Sequence, residues 1–266
     1  MNTRSSPSST APLAIVTGAS SGIGKATATA LAHAGYRTLL IARREDRLRE
    51  LAAQLSQHQL SVALPLDLED AAIIEETIAN ALSVHGPADV LINNAGASIC
   101  KPMLWQSMED HHRIMQVHYF AAVQMIHATL PVMLDRGKGH LINIASMSTK
   151  MGPWGHSAYA AAKCALVSLT QTMAMDYAGK GVHFSYVNPG LVQTEFFDNP
   201  GYEVLEPILK KRGIPPEKVA KAIVKLLKKP RLEVCIPRLY RILDLFKAIS
   251  PQWAHRIVAK GSKPQK

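Results

Sequence analysis

The chain has 266 residues, 47% hydrophobic and 19% charged, with 16 glycines and 16 prolines, the make-up of one sizeable globular domain and not of a disordered, collagenous or coiled-coil chain. A chain this long buries roughly 70 to 75% of its unfolded surface and needs no staple for its core; its three cysteines, Cys100, Cys164 and Cys235, show no CxxC spacing, which argues against a disulfide framework or a zinc site and for a reducing compartment. The net charge of +10 is concentrated at one end, since residues 1–206 carry 14 basic and 17 acidic side chains and residues 207–266 carry 16 and 3.

The opening MNTRSSPSST is polar, has no apolar core of a secretion signal, and reads as a flexible leader over residues 1–11. A cytoplasmic protein is expected. Short apolar runs at 13–16, 38–41, 62–66, 90–92, 140–144, 183–187 and 233–236 read as strands. Helical stretches lie between them at about 23–34, 45–58, 71–84, 109–134, 158–178 and 216–228. Strands this apolar are buried on both faces, so the repeated βαβ pattern predicts a single α/β domain over 12–237, a doubly wound parallel sheet of Rossmann type. No run approaches the ~20 apolar residues of a membrane span, and no bilayer crossing is expected. Residues 195–215 form one long irregular stretch with Phe196, Phe197, Leu205, Ile208 and Leu209, too apolar for an idle loop, and read as a substrate lid.

The first strand runs into Thr17-Gly18-Ala19-Ser20-Ser21-Gly22-Ile23-Gly24, with a helix at once. Glycines there allow a tight turn and close approach of the backbone to a pyrophosphate at the positive end of the helix, so Gly18, Ser20, Ser21, Gly22, Ile23 and Gly24 are candidate cofactor contacts. A plain strand-to-helix turn would look much the same, since GxxxGxG is not the usual GxGxxG. Further motifs sit at later strand ends: Asn93-Asn94-Ala95-Gly96, Ser146, and Asn188-Pro189-Gly190, with Tyr159 and Lys163 in a YxxxK spacing on a helix. Four residues apart, Tyr159 and Lys163 share one helical face. An ammonium about 4 Å from a phenol at an effective dielectric of ~20 is worth roughly 4 kcal/mol, about three pK units, which would bring the phenol towards working pH. Ser146 offers a hydroxyl that can hold and polarise a carbonyl oxygen.

In these motifs and their order the chain resembles the short-chain dehydrogenase/reductase family, in its single-domain form, over about residues 12–240. The resemblance implies Ser146, Tyr159 and Lys163 as catalytic residues, with Lys163 also holding the nicotinamide ribose. It implies Asp67 at the adenine, Asn94 at the adenosine ribose, and Val192 and Thr194 at the carboxamide and phosphates. Asp67 reads equally well as a helix cap before Ala71. NAD-preferring relatives carry an acid where Ala42 stands; here Arg43 follows and offers a planar fork to a phosphate, so NADP is the expected cofactor, unless Arg43 and Arg44 are simply solvated. Ser21 stands where many NADP-binding relatives have Arg or Lys. His118 replaces the Asn that usually holds a water of the proton relay, and serves that relay or is a bystander. Met151 and Trp154 either line the pocket or are merely packed. No metal is expected, since the histidines show no HxxxH or HExxH spacing.

The expected activity is hydride transfer between NADP(H) and a fairly apolar carbonyl or alcohol; the alternatives are a 3-oxoacyl thioester reductase and a non-catalytic NADP(H)-binding regulatory protein. Relatives are commonly dimers or tetramers, so the resemblance implies a homo-oligomer, although the chain departs from them after Cys235, where an extra basic tail could block one of the usual contacts. Residues 238–266 form a basic extension. On a helix, Leu239, Ile242, Leu243, Leu245, Phe246 and Ile249 fall in one arc and Arg238, Arg241, Asp244 and Lys247 in the other. Such a segment lies on an anionic membrane surface, with Trp253 at the interface, or packs on the domain, covers the pocket, or joins subunits. It lacks any aromatic stacking platform, so nucleic acid is not expected as a partner.

Overall fold

The computed structural model describes residues 11–198, 202, 213–242, 247, 249–252 and 256. Seven strands, β1 (Leu13–Thr17), β2 (Arg37–Ala42), β3 (Ser61–Pro65), β4 (Val90–Asn93), β5 (Gly139–Ile144), β6 (Val182–Pro189) and β7 (Glu233–Ile236), form one sheet in the order β3-β2-β1-β4-β5-β6-β7. Every pairing is parallel, the doubly wound sheet that the βαβ pattern predicts. The side-chain period of two sends alternate residues to opposite faces. Ala14, Val16, Leu40 and Ile92 pack on helices α1 (Gly22–His33), α2 (Glu45–Leu55) and α7 (Pro216–Lys228). Leu13, Ile15, Leu39 and Leu91 meet α3 (Ile74–His85), α5 (Ala121–Asp135) and the far end of α6 (Ser157–Asp176). The strand order reverses between β1 and β4, and there the C-terminal ends leave the crevice in which such sheets bind ligands.

The helix expected over 109–134 is not uniform. It comprises α4 (Met108–Met115), a π turn over Gln116–Phe120, and α5. A π turn holds one residue more than an α turn and commonly lies at functional sites; this one carries His118. Helical periodicity alone does not reveal such an insertion. The run Met108–Asp135 is, by length and composition, long and apolar enough to cross a membrane, contrary to the sequence expectation. Here Met125, Ile126, Leu130 and Met133 of α5 belong to the core beneath the sheet.

One of the two readings of Asp67 is excluded. The third helix begins at Ile74, so Asp67 does not cap it; its carboxylate accepts instead from the Glu69 backbone N–H at 3.0 Å. Of the lid, residues 195–198, 202 and 213–215 are described, and Leu205, Ile208 and Leu209 lie outside the described residues. Glu195–Asp198 form a 3-10 turn. In the extension Arg238–Arg241 form another, while Leu243, Asp244, Leu245, Phe246 and Trp253 lie outside.

Candidate active site

A cleft of about 710 Å3 opens at the C-terminal ends of β1, β2, β4, β5 and β6. At one end the β1–α1 turn is drawn tight: Gly18 has φ +65°, and a Cβ on Gly24 would come within 2.1 Å of the Gly18 carbonyl oxygen. Asn94 Nδ2 donates to the Thr17 carbonyl (2.9 Å), and Thr17 Oγ1 accepts from the Asn94 and Ala95 backbone N–H groups. The turn and the segment after β4 are thereby tied together. Gly18, Ser20, Ser21, Gly22, Ile23, Asp67, Asn94, Val192 and Thr194 all line the cleft, whereas Gly24 stands behind the turn. A turn this close-packed, with its backbone facing a wide cleft at a helix N-terminus, fits a dinucleotide pyrophosphate.

The two arginines after β2 diverge. Arg43, 60% exposed, pairs with Glu69 at 3.0 Å and stands 3.8 Å from Asp67. Arg44 turns over the glycine-rich loop, donating to Ser21 Oγ (2.7 Å), Ser20 Oγ (3.1 Å) and the Glu195 carboxylate (2.7 Å). Arg47 meets the same carboxylate at 2.8 Å. Two guanidiniums hold Glu195 below the usual carboxylate range, the Arg44 hydrogen bond being the larger cause. These contacts of Arg44 were not foreseen from sequence.

At the other end stand Ser146, Tyr159, Lys163 and His118. A buried chain of hydrogen bonds fixes α6, which carries the Tyr and Lys, to the sheet: Asn93 Nδ2 donates to Asn143 Oδ1, Asn143 Nδ2 to Thr170 Oγ1, and Thr170 Oγ1 to the Leu166 carbonyl. Ser146 Oγ accepts from the Ser148 N–H at 3.1 Å, and its hydroxyl is hydrogen-bonded to the Tyr159 phenol. Lys163, 4% exposed, donates to the Ile144 carbonyl at 2.6 Å, with Nζ 5.8 Å from the Tyr159 ring centroid. Burial depresses its pKa to about 7. Burial also pushes the Tyr159 phenol up to about 12, with a Ser146 hydrogen bond opposing. The expected lowering of the phenol is therefore absent: desolvation penalises phenolate and ammonium alike, and the Lys163 ammonium is bonded to the Ile144 carbonyl.

His118, 2% exposed, lies edge-on to Tyr159 with ring centroids 5.2 Å apart. Its Nε2 is 2.7 Å from the Ala97 carbonyl and accepts from the Ala97 backbone N–H at 3.1 Å, while Nδ1 is buried without a partner. Burial first, and then the Lys163 charge, hold its pKa well below the ordinary value against the Ala97 bond. A Cβ on Gly96 would come within 2.4 Å of His118 Cε1, so the last glycine of NNAG is what admits this ring. Met151, Phe196 and Phe197 line the same end. Trp154 is not among the lining residues; its carbonyl accepts from His156. Sequence reading missed His156, Ser98 and Tyr202, which meet beside Tyr159, and Tyr240, whose ring lies over Gly190 and reaches the cleft from the extension. For His156 a signal existed in its position three residues before Tyr159.

A family model described as short chain dehydrogenase matches residues 12–202. An uncharacterized oxidoreductase of Staphylococcus aureus (strain MW2) is 32% identical over 218 residues, covering 82% of this chain and 91% of the relative. Among solved structures, a short-chain dehydrogenase from Streptomyces avermitilis superposes with a TM-score of 0.79 at 30% identity, over 92% of this chain and 96% of that one. A short-chain dehydrogenase from Sphingobium yanoikuyae, solved in complex with NADPH, gives a TM-score of 0.79 at 26% identity, over 91% and 95%.

Proposed function

The chain belongs to the short-chain dehydrogenase/reductase family of oxidoreductases, and from that premise we propose that it moves a hydride between NADP(H) and a fairly apolar carbonyl or alcohol. The observation that carries this reading is the meeting of Ser146, Tyr159 and Lys163 in one cleft with the glycine-rich turn. For NADP the support is the Ala42 side chain where a carboxylate would repel a 2′-phosphate, with Arg43 and Arg44 beside it, and the NADPH bound by the Sphingobium relative.

When bound, the cofactor supplies or accepts the hydride. Tyr159, kept protonated by burial, gives its proton to the carbonyl oxygen as that oxygen gains charge, and takes it back in the oxidative direction. Ser146 donates a hydrogen bond to the same oxygen and holds it in place. Lys163, whose depressed pKa lets it exist both as ammonium and as amine near neutrality, favours the phenolate and resupplies its proton. Nε2 of His118 is engaged with both the carbonyl and the backbone N–H of Ala97, which leaves Nδ1 as the ring nitrogen suited to hold a water of the relay beyond Lys163, as acceptor or donor according to the tautomer.

Turnover of ketones and aldehydes of graded chain length with NADPH or NADH tests the reading. A charge-assisted phosphate contact is worth roughly 1.5 to 3 kcal/mol, so NADPH should be favoured about ten- to a hundredfold. Tyr159→Phe should lose several orders of magnitude in kcat and keep its NADPH affinity. Tight NADPH binding with no turnover on any carbonyl would establish a non-catalytic binding protein instead. We assign the protein to the cytoplasm as a homo-oligomer, with a peripheral contact to anionic membranes through its extension.

A further inference from the structure

Three polar groups meet beside Tyr159 that proton transfer does not use. His156, which precedes α6, is buried, and its ring lies 6.0 Å from the Tyr159 ring. Its Nδ1 is 2.6 Å from the Trp154 carbonyl, a partner that can only accept, so Nδ1 bears the proton and Nε2 is a lone-pair acceptor. Burial keeps the ring below its ordinary pKa and so neutral, although the Trp154 bond opposes this. Nε2 is 2.9 Å from the Tyr202 hydroxyl, which must therefore donate to it. The Tyr202 oxygen in turn accepts from Ser98 Oγ.

The pair of His156 and Ser98 thus presents one acceptor and one donor to a single oxygen. Both side chains line the catalytic cleft. A hydroxyl is the group that satisfies both at once: a carbonyl would leave Nε2 unpaired, and a carboxylate would face its lone pair. In this structure the hydroxyl is a phenol lent by the chain itself, on a segment whose Phe196 and Phe197 rings lie 6.1 and 5.3 Å from Tyr202.

We propose that His156 Nε2 and Ser98 Oγ form a receptor for a hydroxyl of the substrate, whose place the Tyr202 hydroxyl takes in this structure. The substrate is then a hydroxylated carbonyl compound, or the diol it forms, with the second oxygen on a carbon near the reacting one. This rests on the reading of Tyr159 as the group at the reacting carbonyl. A site built to hydrogen-bond a hydroxyl discriminates against the analogue without it, because its polar groups are then unpaired; Tyr202 as an internal substitute moderates the penalty here.

The experiment compares kcat/KM for 2-hydroxy and 3-hydroxy ketones with that for their unsubstituted parents, and follows the His156 Nε2 nitrogen-15 shift as the corresponding diols are added. The wild type should prefer the better hydroxylated member by about tenfold or more. His156→Phe should bring the ratio to about one, His156→Gln, which keeps an acceptor, should retain most of it, and Tyr202→Phe, which removes the competitor, should raise it. A wild-type ratio near one, or a ratio indifferent to His156→Phe, overturns the receptor. If no carbonyl is turned over, a diol-induced shift at His156 preserves the receptor while the proposed reaction fails; absence of that shift overturns the receptor whatever the turnover.

Discussion

Lys163 shows how a single residue can be costly to the fold while the proposed chemistry depends on it. Burial lowers its pKa to about 7, whereas in the unfolded chain it holds its proton to about 10.4. Between these values the unfolded state binds more protons, so stability rises with pH from about 7 to above 10 and the lysine's contribution is least favourable at and below neutrality. Lys163→Met removes this cost together with the hydrogen bond to Ile144, so the diagnostic quantity is the pH trend. The Tm of the variant minus that of the wild type should be largest near pH 6.5 and fall steadily towards pH 9.5, while turnover is lost at every pH. A Tm difference that stays constant over this range would contradict the buried, shifted amine. Lys163 was legible in the sequence because one helical turn separates it from Tyr159. The unpartnered Nδ1 of His118 was not, since it depends on which carbonyl the ring happens to reach.

Between elements, the β2–α2 turn with the first turn of α2 and the 3-10 turn after β6 clasp each other across the dinucleotide cleft through Arg44, Arg47 and Glu195. These groups are about half exposed, and such pairs are worth ~0.2 to 1 kcal/mol. A phosphate brings more charge than one carboxylate and should compete for Arg44. Glu195→Gln should then tighten NADPH binding roughly two- to fivefold and leave NADH nearly unchanged. Arg44→Ala should weaken NADPH about tenfold. Fluorescence titration of both cofactors checks this, and weaker NADPH binding by Glu195→Gln would mean that the clasp retains the cofactor and does not compete with it. The existence of these two turns follows from strand and helix periodicity. Their contact joins residues 151 apart in sequence, and no local pattern encodes it.

For the whole molecule the decisive asymmetry is electrostatic, with net +13 after residue 206 and net −3 before it. The extension is partly folded onto the cleft: Tyr240 lies over Gly190, and Lys247 donates to the Lys150 carbonyl at 2.9 Å. Leu239 and Ile249 remain 69% and 82% exposed. At the same end of the sheet, the 3-10 turn Met103–Trp105 exposes Leu104 and Trp105, with Ser157 of α6 bonded to Met103. Basic charge with exposed apolar side chains suits an anionic bilayer surface, each basic residue near it being worth about 1 kcal/mol. The chain should float with acidic vesicles at ~0.01 M salt and detach as the Debye length shrinks at higher salt, and removal of residues 238–266 should abolish flotation. Indifference to acidic vesicles, or equal flotation without the extension, would make the extension a cover for the cleft alone.

The order of strands and helices, the parallel sheet and the pairing of Tyr159 with Lys163 were determined by the sequence itself, while Ser146 joined them there only through the family resemblance. Burial on both faces leaves a mark at every strand position, and a helical turn or a strand-end turn is a local spacing that the chain carries whatever its surroundings. What only the tertiary structure decided are the groups drawn from distant segments: Arg44 with Glu195, Gly96 with His118, and His156 with Ser98 and Tyr202. The same holds for the pKa values of Tyr159 and Lys163, where the attraction expected from a four-residue spacing is outweighed by desolvation. Burial of a charge is set by everything packed around it, and that packing exists only once the sheet has closed over α6.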